Sequence, residues 1–63
     1  MSYQTECMIE LLRRFAAGAL LTAKQVANQY GVNIRTAQRW LSDMAQTVPL
    51  RVSMVGTARV YRL

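Results

Sequence analysis

Two short amphipathic segments hinged on one glycine constrain this chain more than any other feature. They occupy Leu21 to Leu41, LTAKQVANQYGVNIRTAQRWL. Thr22 stands three residues before Gln25. That spacing lets the hydroxyl cap a helix amide while the Gln side chain reaches back to the threonine amide. Val26, Ala27 and Tyr30 then recur at helical spacing and predict the buried face of a helix from Ala23 to Tyr30. Gly31 falls where a helix end calls for a left-handed residue. Val32 is expected to plug the turn into the core. Asn33 offers a side-chain oxygen to cap a second helix, from Ile34 to about Gln46. The inward stripe of that helix is Ala37, Leu41 and Met44, flanked by Trp40 and Val48. Its other side carries Arg35, Gln38 and Arg39.

The flanking sequence completes a plan. A first helix is expected over about 4–17, with Met8, Leu11, Leu12 and Phe15 as its apolar face and Glu6, Glu10, Arg13 and Arg14 elsewhere. Its acids lie early and its bases late, as the helix dipole favours. Ala17-Gly18 stop it. Beyond Pro49, Leu50 to Val55 and Ala58 to Tyr61 are rich in β-formers and separated by Gly56-Thr57, which predicts a hairpin over about 50–62. Leu50, Val52 and Met54 would share one face, Arg51 and Ser53 the other; on the return strand Arg59, Tyr61 and Leu63 oppose Val60. The pattern leaves the register open. The expected fold is mostly α with a small β-hairpin: a single three-helix winged helix-turn-helix domain spanning 1–63.

Composition narrows the chemistry. A chain of 63 residues buries only about 60% of the surface its unfolded form exposes, so its stability is expected to be marginal. Cys7 is the single cysteine and there is no histidine, so neither a disulfide nor a structural zinc site is expected. Cys7 reads as a small buried side chain rather than a reactive thiol. Dimerisation is the remaining common support for so small a fold. Three scattered carboxylates and no phosphate-cradling loop argue against catalysis, and no cofactor or metal is expected. Eight basic residues oppose three acids, for a net charge of +5. None of the acids lies between Leu11 and Ser42, where five of the bases do. A one-signed surface of this kind is the electrostatic footprint of a nucleic-acid binder. The apolar run 16–21 is far short of the ~20 residues that span a bilayer. No membrane association is expected, and a cytoplasmic location is.

Two helices joined by a tight turn place the second helix in the major groove of double-stranded DNA. Arg35, Gln38 and Arg39, at i, i+3 and i+4, share one helical face. Arg matches the acceptors of guanine and Gln the adenine edge, so these three are the expected base contacts. Asn33, Thr36 and Ser42 are secondary candidates, Asn33 chiefly as a cap. Ile34 is expected to fold back beside Val32, the alternative being contact with thymine methyls. Trp40 reads as structural, the alternative being exposure beside the DNA or at a dimer contact. Thr22 and Lys24, at the start of a helix whose free amides attract anions, are candidate phosphate contacts. So are Arg51, Arg59 and Arg62 in the hairpin, Arg59 with entry into the minor groove as its alternative, and Arg13 and Arg14 less directed.

The run from Leu11-Leu12 through Thr22, Val26-Ala27, Gly31-Val32, Arg35-Thr36, Arg39, Leu41, Pro49-Leu50 and Tyr61-Arg62 resembles the N-terminal winged-helix domains of bacterial regulators of the WYL-domain and DeoR types. The likeness covers roughly residues 9–63. It implies sequence-specific DNA binding by a small bacterial or phage transcriptional regulator, as a homodimer or cooperative multimer. Two departures stand out. Trp40 occupies a position where those regulators commonly have Asp, and no large effector domain follows. The chain therefore reads as a small stand-alone regulator or an excised domain, and no ligand-sensing role carries over. Two other readings share these features: an excisionase-like architectural DNA binder, and a winged helix used only for protein contacts.

Overall fold

In the computed structural model, which describes residues 2–63, helix α1 runs Tyr3–Ala16, strand β1 Leu21–Thr22, helix α2 Ala23–Tyr30, helix α3 Ile34–Thr47, strand β2 Arg51–Val55 and strand β3 Ala58–Arg62. Three helices followed by a hairpin is the winged helix-turn-helix order.

Each helix starts at a side-chain cap. The Ser2 hydroxyl accepts the Thr5 amide at 3.2 Å. At α2 the expected reciprocal box forms: the Thr22 hydroxyl accepts the Gln25 amide at 3.2 Å, and the Gln25 side chain accepts the Thr22 amide at 2.9 Å. The Asn33 side chain accepts the Arg35 amide at 2.8 Å and opens α3. Between α2 and α3, Gly31 adopts φ 64° and ψ 36°, and its amide closes onto the Ala27 carbonyl. A side chain there would meet open space, so the demand for glycine is conformational rather than steric.

The core forms where the three helices and the sheet meet. It holds Cys7, Leu11 and Phe15 of α1, Val26, Ala27 and Tyr30 of α2, Ala37, Trp40, Leu41 and Met44 of α3, and Leu21 and Tyr61 of the sheet. Val32 and Val48 pack half-buried against it. Leu12 corrects the expectation for α1: it is 42% exposed. The inward row is Cys7, Leu11, Phe15, at steps of four. Leu12 lies about 100° round from Leu11 and falls on the helix flank.

Two tyrosines tie α1 to the helix-turn-helix. The Tyr3 hydroxyl donates to the Tyr30 carbonyl at the end of α2. The Tyr30 hydroxyl donates to Glu10 Oε1 at 3.1 Å. Burial raises the Tyr30 hydroxyl above its ordinary value of 10.0; Glu10 adds to this and the Arg14 guanidinium opposes it. The Tyr30 ring meets Trp40 at 6.3 Å between centroids, tilted by 60°. Trp40 is buried as expected, but its indole Nε1 finds no hydrogen-bond partner among the described residues.

The sheet is larger than the expected two-stranded hairpin. It has three antiparallel strands in the order β1-β3-β2. Leu21 pairs with Tyr61 and Thr22 with Val60. Two residues are too few to show a strand period, and Thr22 serves at once as strand residue and helix cap. The pairing makes β3 central and anchors the hairpin, because Leu21 and Tyr61 bury together. Gly56 has a positive φ of 63° and Thr57 does not, the pattern of a type II′ turn whose twist suits a hairpin.

Candidate nucleic-acid interface

The long third helix separates its chemistry by face. At about 100° per residue, Arg35, Arg39 and Ser42 point to within about 40° of the direction opposite the buried Ala37. All three are exposed, as is Gln38 on the neighbouring flank. Among the described residues, no hydrogen bond of the fold engages the side-chain ends of Arg35, Gln38 or Arg39. Their donors and acceptors are free for a ligand. Thr36 is half-buried at the opposite edge of this surface.

Ile34 belongs here as well, contrary to the expectation that it packs on the core. It is 46% exposed. Its direction around the helix is nearly that of the fully buried Leu41, two turns on. However, it stands at the first helical position, beyond the end of the buried stripe. It therefore presents a branched apolar group beside Gln38, one turn away. An apolar residue at the first position of the helix, before the buried stripe begins at Ala37, is the sequence signal for this.

Asn33 and Thr22 are occupied as caps through their side-chain oxygens. The amide nitrogen of Asn33 remains free to donate, and Lys24 is exposed in the first turn of α2. The hairpin divides its three arginines. Arg51 and Arg62 are direct cross-strand partners, whereas Arg59 pairs with Met54. Side chains alternate between faces along a strand. Arg51 and Arg62 thus lie side by side on the face turned away from Tyr61, and Arg59 lies on the Tyr61 face, nearer the turn. Like charges directly opposed across strands repel, and the hairpin contains no acid to offset them.

Two of the three acids stand apart from this surface, and the third borders it. Glu6 and Glu10 are on α1, and Glu10 is engaged by Tyr30. Asp43 lies one turn beyond Arg39, rotated toward the Thr47 flank. Among the described residues no group of three or more His, Cys, Asp or Glu side chains is placed to hold a metal ion, and no helix is long and apolar enough to cross a membrane. Compared with known protein families, with curated proteins and with solved structures, the chain matches none.

Proposed function

We propose that this chain is a sequence-specific binder of double-stranded DNA, acting in the cytoplasm as a small bacterial or phage transcriptional regulator. The observation that carries the reading is the outer face of α3. Arg35, Gln38, Arg39 and Ser42 are exposed together on a helix held rigidly by four buried residues behind it. A helix presented in this way fits the major groove, where a bidentate Arg or Gln contact discriminates by about 1–3 kcal/mol. Ile34 adds an apolar contact suited to a thymine methyl. Thr22, Lys24, Asn33, Thr36, Arg51, Arg59 and Arg62 serve the phosphates. The likeness to winged-helix regulators supports the same reading. Since a single small module buries about 600–1,000 Å² on DNA, two copies on a repeated or palindromic site are expected.

The test is selection of the purified protein against a random duplex library, with the bound pools titrated across salt. A recovered motif containing α3-sized half-sites supports the regulator. Salt-dependent binding with no motif rejects it in favour of an excisionase-like architectural binder. No binding even at low salt rejects both and leaves a protein-interaction module.

A further inference from the structure

One surface of α1 is left uncovered among the described residues and takes no part in the proposed DNA contact. Thr5, Ile9, Leu12 and Ala16 are all exposed, Ile9 to 41% and Leu12 to 42%. Their spacing of four, three and four residues makes one continuous stripe along the helix, the seam of a helix pair. Beside it Met8, Ile9 and Leu12 line an apolar hollow that continues onto Met44, Thr47 and Val48 at the end of α3.

We infer that this stripe is a homodimer surface on which two copies pack their first helices antiparallel, with Glu6 of each copy beside the partner's Arg13.

Charge sets the orientation of the pair. Glu6 and Arg13 are seven residues apart, so both border the seam on the same side, one at each end. In an antiparallel pair the like-named flanks meet and the ends exchange. Each Glu6 then faces the partner's Arg13, and the two-fold axis makes the contact twice. In a parallel pair that flank would face the side bearing Met8 and the buried Phe15, where the one charge beside the hollow is Asp43, which attracts Arg13 but repels Glu6. Flanking pairs of this kind fix the orientation of helix partners. The rest of the molecule argues the same way. Two acids and two bases make α1 neutral, whereas each of α2, α3, β2 and β3 carries more bases than acids. A protein of charge +5 repels its own copy least at this helix. The seam also lies toward the Asp43 and Thr47 side of α3, rotated by about 60° and about 100° from the Arg35–Arg39 direction. Dimerisation through it leaves those side chains uncovered.

A 14-residue helix offers less than the about 800 Å² per partner of a standard interface. The dimer is therefore weak in isolation, and adjacent DNA half-sites strengthen it by raising the local concentration. The use of the dimer rests on the DNA-binding reading; the surface itself does not, so it is measured without DNA.

The experiment is analytical ultracentrifugation of the full chain at low salt, from micromolar to millimolar concentration. The expected result is a monomer–dimer equilibrium. Glu6→Arg or Arg13→Glu alone should weaken it about tenfold, since each turns two attractions into repulsions. The double variant should restore it to within about threefold of the starting protein. Leu12→Glu should leave it monomeric, with circular dichroism confirming that every variant remains folded. A protein that is monomeric throughout overturns the proposal. So does a dimer indifferent to the reversals, or a double variant as weak as the single ones. The starting protein is also titrated against short duplex DNA. Retained binding by a protein that never dimerises rejects the surface alone, whereas absent binding also rejects the DNA reading.

Discussion

At the scale of single residues, the buried indole of Trp40 and the exposed arginines make opposite demands. The Trp40 ring fills the space between α2 and α3, but its Nε1–H has no partner among the described residues. An unsatisfied buried donor costs about 1–3 kcal/mol, which offsets much of what the extra ring area contributes. Trp40→Phe is therefore expected to change the urea-unfolding free energy by less than about 1.5 kcal/mol. Trp40→Ala should cost about 3–5 kcal/mol and leave so small a domain largely unfolded. On the outer face, Arg39→Ala should weaken binding to a selected DNA site by about 1–3 kcal/mol and relax one base position. Arg59→Ala should weaken all duplexes alike and reduce the salt slope by about 1. Equilibrium binding to matched and mismatched duplexes across salt separates the two. An Arg39→Ala protein with unchanged discrimination would remove α3 from the groove.

At the scale of elements, local signals specified the helix starts and the turn. The Thr22 box, the Asn33 cap and the left-handed Gly31 are interactions between near neighbours, so they are legible in the chain. Gly31→Ala should cost about 1 kcal/mol through its φ alone, because a methyl group there meets nothing within 4 Å. Gly31→Asn should cost less, since Asn tolerates the left-handed region. Comparing the two thermal midpoints checks this: equal losses would point to a clash rather than backbone strain. What the elements concealed was β1. Its strand character exists only through Leu21 meeting Tyr61 and Thr22 meeting Val60 across the fold. The hairpin register was hidden for the same reason. Only the pairing reveals that Arg51 and Arg62 are neighbours while Arg59 faces the other way.

At the scale of the whole molecule, the helix-turn-helix is held to α1 by a relay of tyrosines. Tyr3 reaches the Tyr30 carbonyl, and Tyr30 reaches Glu10. The Tyr30 hydroxyl is raised above 10.0 by burial first and by Glu10 second. A group raised on folding contributes stability that is fully present below its unfolded value. That contribution is lost as pH rises through the folded value. The urea midpoint is therefore expected to decline above about pH 10, and less steeply in Tyr30→Phe. A decline of equal slope in both proteins would show that Tyr30 does not control it.

The sequence by itself determined the helices, the caps of α2 and α3, the glycine turn, the excess of positive charge and the outward direction of Arg35 and Arg39. Each of these depends on residues within a turn or two of one another, or on composition. Only the tertiary structure decided that Leu12 and Ile34 stand exposed and that Leu21-Thr22 forms a third strand. An apolar side chain is buried only where another element comes to cover it. Helical periodicity gives the direction in which a side chain points; the packing of distant elements decides what, if anything, it meets.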